Sequence, residues 1–121
     1  MKKVWTILCL AGLVAAFGFT VGADHHEGTW TGEVLDLACY VAQGAHGADH
    51  SGCAKSCVKG GQPMGLLTGD GTVVLLAADH KNGEPYEALK DLAGAKAEVT
   101  GTLSERDGMK VVTVTAAKAA G

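Results

Sequence analysis

Positions 95 to 103 alternate strictly between small or apolar residues and polar ones. Successive side chains of a β-strand point to opposite faces, so this period of two predicts a strand with one face in a core and the other in solvent. The segment Thr29–Leu37 has a similar pattern and predicts a first strand, with Trp30 and Val34 on its core face. The chain is therefore expected to build its core mainly from half-buried strands.

The remaining pattern supplies three more strands and two helices. Strands are predicted over Met64–Thr68, Thr72–Asp79 and Met109–Thr115, and helices over Gly52–Lys59, with Ser51 as its cap, and Glu84–Leu92. The long glycine-rich segment from Ala38 to Pro63 has no strand pattern. This order predicts a mainly β fold: a five-stranded OB-like Greek-key barrel, with one helix between strands 3 and 4 and a Cys/His-rich loop and helix after strand 1. A five-stranded antiparallel sandwich fits the same order.

The first 23 residues have the pattern of a secretory signal peptide. Lys2 and Lys3 precede a stretch from Val4 to Ala23 without charge, which ends in small residues. We expect cleavage after Ala23, leaving one domain over residues 24–121 in the periplasm or outside the cell. The alternative is a retained segment, which is just long enough to span a bilayer and would anchor the domain to the membrane.

The predicted mature chain is acidic, with eight basic and thirteen acidic residues. An acidic surface is a poor match for nucleic acid or for anionic lipid. Its three aromatic residues, Trp30, Tyr40 and Tyr86, are too few for a base-stacking platform. We therefore expect a metal ion or a periplasmic protein as partner, and no nucleic acid.

Five potential metal ligands lie within nineteen residues: Cys39, His46, His50, Cys53 and Cys57. Thiolates and imidazoles are the ligands of zinc and copper, and three cysteines with one histidine complete a four-coordinate site. Four residues apart on a helix, Cys53 and Cys57 would share one face, at a spacing that a metal bridges more easily than a sulfur–sulfur bond. The sequence thus predicts a non-catalytic copper- or zinc-binding module, and leaves open which histidine is used.

A disulfide is the competing interpretation, because cysteines of exported proteins are usually oxidised. Cys39 paired with Cys53 or Cys57 would close the long segment and give a stapled binding domain for a protein or small ligand. One of the three cysteines would then be left unpaired. A thiol-redox enzyme is a weaker alternative, because the chain has neither C-x-x-C nor C-x-x-C-H, and no catalytic triad or nucleotide fingerprint is visible.

These motifs resemble a family of small secreted bacterial proteins of unknown function. The resemblance is carried by WTGEVLDLACY, a loop histidine, CAKSCVKGG, a GDG turn and AGAKAEVTGTL. It runs from Trp30 to Val114, and its most specific positions are Asp36, Cys39, Cys53, Cys57 and Gly60. It implies an exported OB-like barrel with a Cys/His loop and does not indicate an activity. This chain departs from the pattern in having two loop histidines.

Two further candidates lie outside the cluster. Cleavage after Ala23 would place His26 third in the chain, where a free amine, two backbone amides and the imidazole can chelate Cu(II), with His25 as an added donor. We expect this stretch to be a solvated tail instead, as termini usually are. Met64 is close enough in sequence to act as a soft ligand, but a lone methionine is expected in the core.

Overall fold

The computed structural model describes residues 24–121. The predicted signal peptide, with Cys9, lies outside the described residues. In chain order the elements are β1 (Asp24–Asp36), α1 (Leu37–Gln43), a 3₁₀ turn (Ala48–His50), α2 (Ser51–Lys59), β2 (Met64–Thr68), β3 (Val73–Ala78), α3 (Glu84–Leu89), a second 3₁₀ turn (Lys90–Leu92), β4 (Lys96–Arg106) and β5 (Met109–Ala119). None of the helices in this part of the chain has the length and apolar character needed to cross a membrane.

The five strands form a closed barrel in the order β1-β2-β3-β5-β4, with β4 hydrogen-bonded back to β1. All neighbours are antiparallel except β3 and β5, which run parallel. The closed sheet and its parallel pair exclude the antiparallel sandwich. The structure therefore confirms the predicted OB-like barrel, with α3 between the third and fourth strands.

Apolar side chains from every strand fill the barrel, as the alternation predicts. On β4, Ala97 and Val99 are fully buried, while Glu98 between them is partly exposed. Leu89 from α3 and Val58 from α2 complete the core from outside the sheet. The core thus links the barrel with the helix that carries two of the cysteines.

The Cys/His segment contains more regular structure than the sequence predicts. The sequence pattern does not predict helix α1, which has only seven residues and buries none of them. Its ends explain it: the Asp36 side chain accepts hydrogen bonds from the first turn, and Gly44 ends the helix with a φ of 70°. The prediction that Ser51 caps α2 is wrong, because α2 continues directly from the preceding 3₁₀ turn and Ser51 is its first residue.

Residues 24–28 also differ from expectation. Instead of a solvated tail they form the beginning of β1, paired with β4 so that Asp24 faces Glu105 and His26 faces Leu103. The tail prediction is wrong because β4 and β5 are longer than their alternation suggests, and β4 offers these residues a partner along its whole length.

Candidate metal centre

Three side chains from three consecutive elements converge at one end of the barrel. Asp36 is the last residue of β1, Cys39 lies in the first turn of α1, and His50 ends the 3₁₀ turn. One potential ligand atom from each lies within 4.8 Å of the other two. A carboxylate, a thiol and an imidazole at these distances can hold a metal ion.

Asp36 is the one buried charged residue in the described part of the chain, with 1% of its surface exposed. Its Oδ1 atom accepts hydrogen bonds from the backbone N–H groups of Ala38, at 3.1 Å, and Cys39, at 3.3 Å. Its Oδ2 atom is buried without a hydrogen-bond partner. One carboxylate oxygen therefore caps α1, and the other remains available to a ligand.

His50 has a similarly unpaired atom. Its Nε2 is buried and has no hydrogen-bond partner. Leaving a buried polar group unpaired costs about 1–3 kcal/mol, so native proteins rarely do so without a reason such as a bound ion. Among the described side chains, only Asp36 and His50 leave a buried polar atom unpaired, and both belong to this group.

The two cysteines of α2 lie next to this group but are not part of it, since the three residues whose ligand atoms all lie within 4.8 Å of one another are Asp36, Cys39 and His50. Ala54 and Val58 anchor α2 in the core, which leaves Cys53 and Cys57 on neighbouring positions of the helix surface. Cys57 is half-buried and Cys53 is exposed. Burial, followed by the neighbouring Asp36 carboxylate and Cys53 thiol, raises the pKa of Cys57 to about 11. The Cys57 thiol thus lies beside both Asp36 and Cys53.

The charge at the centre is negative and lacks a cationic partner. Burial favours the protonated form of Asp36, but the Cys39 and Cys57 thiols and the α1 amides together lower its pKa below the ordinary value. The Asp36 carboxylate, followed by burial, in turn raises the pKa of the Cys39 thiol. None of the ion pairs in residues 24–121 involves Asp36. A bound cation would supply the missing positive charge.

The position of α2 depends on a close backbone approach. Gly94 has a φ of 81°, and a Cβ atom there would lie 2.5 Å from the Cα of Ser51, the first residue of α2. Gly94 is itself held to β1, since its N–H donates to the carbonyl of Val34 at 2.7 Å. This contact ties the start of α2, and His50 next to it, to the strand that ends in Asp36.

The other loop histidine lies in a different environment. Nδ1 of His46 is 3.2 Å from Oε2 of Glu33, and the N–H of Gly47 donates to the same carboxylate. The imidazole also stands edge-on to the Tyr40 ring, with the ring centroids 5.8 Å apart. Of the two predicted histidines, the structure brings only His50 into the group with Asp36 and Cys39.

His26 and Met64 also lie apart from the group. Met64 is fully buried in the core, as expected. His26 is paired with Leu103 in the β1–β4 ladder. Chelation of Cu(II) by consecutive backbone amides would take at least one of them from this ladder, because alternate residues of an antiparallel pair direct their N–H groups to the partner strand.

Asp36 is the site residue that ligand spacing did not predict. In the sequence it stands out only as a position of the family resemblance, because a carboxylate is not part of the cysteine–histidine pattern. An aspartate directly before a short helix, three residues ahead of a cysteine, is the signal that identifies it, because such a residue both caps the helix and faces the first-turn side chain.

Cys39, Cys53 and Cys57 are all free thiols, so no disulfide joins the cysteines between residues 24 and 121. The structure therefore lends no support to a stapled loop. Comparison of the chain with protein-family models, curated proteins and solved structures finds no match.

Proposed function

We propose that the protein is an exported metal-binding module that holds one zinc or copper(I) ion through Asp36, Cys39 and His50, with Cys57 and Cys53 completing the donor set. Two observations carry this proposal: Asp36, Cys39 and His50 each place a ligand atom within 4.8 Å of the other two, and Asp36 Oδ2 and His50 Nε2 are buried without a hydrogen-bond partner. A cation would satisfy both atoms and balance the buried carboxylate.

The chemistry of the donors supports this class of metal. Calcium and magnesium prefer oxygen ligands, of which the group offers one carboxylate. Thiols and an imidazole suit zinc and copper(I) instead, and zinc also accepts a carboxylate oxygen. The coordinated thiols would bind as thiolates and release their protons on binding.

The expected histidine is His50, because its ring, and not that of His46, lies in the group with Asp36 and Cys39. Export by residues 1–23 belongs to the same proposal and is supported by their composition. The resemblance to a family of small secreted proteins with a Cys/His loop is consistent with both parts.

The test is to express the full chain in a bacterium in metal-supplemented medium, to purify the exported protein anaerobically without chelator, and to combine native mass spectrometry with elemental analysis. We expect one zinc or copper per chain. The His50→Ala variant is expected to lose it, and the matched His46→Ala variant to retain it.

Substoichiometric metal in the wild-type protein would overturn the proposal, as would equal losses in the two histidine variants. Mass spectrometry of the alkylated protein separates these cases from the disulfide interpretation. A metal site predicts three thiols that the metal protects, and a staple predicts two oxidised cysteines and one free thiol.

A further inference from the structure

The donors of the proposed centre differ in their exposure to solvent. Asp36 is fully buried, Cys39, His50 and Cys57 are half-buried, and Cys53 is exposed. The exposure therefore increases from the end of β1 towards the first turn of α2. An ion held by this set would be reached by another molecule from the Cys53 side.

The surface around Cys53 offers room for such an approach. Its neighbour Gly52 is exposed, and a Cβ atom built there would contact nothing within 4 Å. Ser56, one turn further along the same helix, is also exposed. Small residues on this surface let the ligand atom of a partner come close to the Cys53 sulfur.

We propose that Cys53 is the exchangeable ligand of the centre, and that the protein passes its ion through Cys53 to an acceptor that binds metals with thiolates. This inference rests on the proposed function and concerns how the same site releases its metal. The acceptor is identified by its chemistry, because a soft or borderline ion moves readily between sulfur ligands.

The exchange is a substitution at the metal without electron transfer. The acceptor sulfur forms a bond to the ion as the bond from Cys53 Sγ breaks, and the oxidation state of the metal does not change. The proton that the acceptor thiol loses is balanced by the proton that the released Cys53 thiolate takes up from water. Asp36, Cys39, His50 and Cys57 hold the ion during this first step. Further acceptor thiolates then replace them one by one, and the released Cys39 and Cys57 thiolates take up protons from water.

The fold permits this exchange without unfolding. Ala54 and Val58 keep α2 in the core, and the contact between Gly94 and Ser51 fixes the start of the helix. A rotation of the Cys53 side chain is therefore sufficient to release its sulfur, while the backbone of the site stays in place.

The experiment compares zinc-loaded wild-type protein with Cys53→Ser and with Ser56→Ala, a matched control on the same helix. Zinc stoichiometry and Kd are measured first, by titration against a chromophoric chelator. Transfer to a synthetic peptide with two cysteines is then followed by stopped-flow. We expect Cys53→Ser to keep one zinc and to transfer it about tenfold or more slowly, and Ser56→Ala to behave as wild type.

The failures are distinguishable. A wild-type protein that binds no zinc overturns the proposed function itself. If the wild type binds zinc and Cys53→Ser transfers it at the wild-type rate, the exchange role alone is wrong. If Cys53→Ser loses its zinc completely, Cys53 is a required holding ligand, and the exchange role is again wrong.

Discussion

The barrel and the segment between β1 and β2 are held together in different ways. Every strand of the barrel contributes buried apolar side chains and pairs with two neighbours. From position 37 to position 63, only Ala54 and Val58 are buried. The fold thus depends on many redundant contacts, whereas the site depends on a few: one side-chain cap, one close backbone approach and the donor atoms themselves. A bound ion should therefore affect the second region far more than the first.

Loading and removing the metal tests this difference most strongly. Zinc at a hundred times its Kd stabilises the bound state by about 2.7 kcal/mol, which corresponds to about 100-fold slower opening of any segment that must release the ion. We expect hydrogen exchange of the α1 and α2 amides to slow by about this factor. Amides of the turn between β4 and β5 should be unchanged, since they open without releasing the ion. If zinc slowed hydrogen exchange equally in the two helices and in the β4–β5 turn, the expected difference between the site segment and the barrel would be wrong.

Replacing Gly94 should damage the site segment through the backbone. The Gly94→Ala variant introduces a Cβ atom 2.5 Å from Ser51 at a positive φ, so we expect a loss of about 2 kcal/mol in the free energy of unfolding. Denaturant titration measures it, and zinc affinity should fall as well because His50 directly precedes Ser51. The control is Gly69→Ala, where a Cβ atom contacts nothing within 4 Å. Similar losses for the two variants would show that the close approach is unimportant.

The Asp36→Asn variant should separate the two roles of this residue. Asparagine caps helices as well as aspartate does, so the free energy of unfolding of the metal-free protein should change by less than about 1 kcal/mol. The metal site of the variant lacks the buried negative charge, so its affinity for zinc should fall by about tenfold. Thermal unfolding and zinc competition measure the two effects. A large loss of stability without loss of affinity would assign Asp36 to the fold alone.

The surface ion pair between Lys59 and Asp91 should have the smallest effect. Its atoms are 2.6 Å apart, but both side chains are more than half exposed. Lys59 lowers the pKa of Asp91, so any stabilisation is present at neutral pH and is lost as the pH falls through that lowered value. We expect no measurable change in Tm for Asp91→Asn at pH 7 or at about pH 3. If the Tm of Asp91→Asn were lower than that of the wild type at pH 7 but equal to it at about pH 3, the pair would be shown to help hold α2.

The sequence predicts the barrel better than the site, for a physical reason. Alternation over β4 and the Gly69-Asp70-Gly71 turn report local geometry, and five such segments restrict the topology to few choices. Such patterns predict neither helix α1 nor the role of Asp36, because a seven-residue helix without buried residues has no hydrophobic periodicity. The choice between His46 and His50 depends on which of them the loop brings to Asp36 and Cys39, and this appears only once β1 and the loop are placed side by side.

The contact at Gly94 has a consequence for chain length. The carbonyl of Val34, two residues before Asp36, accepts the hydrogen bond of Gly94, and Gly94 touches Ser51, next to His50. The distance between Asp36 and His50 is therefore set across this contact, and not by the connection through residues 44–47. Homologous or engineered chains with insertions or deletions in that connection should keep the metal centre, whereas a single-residue insertion between Leu92 and Ala95 should separate its ligands.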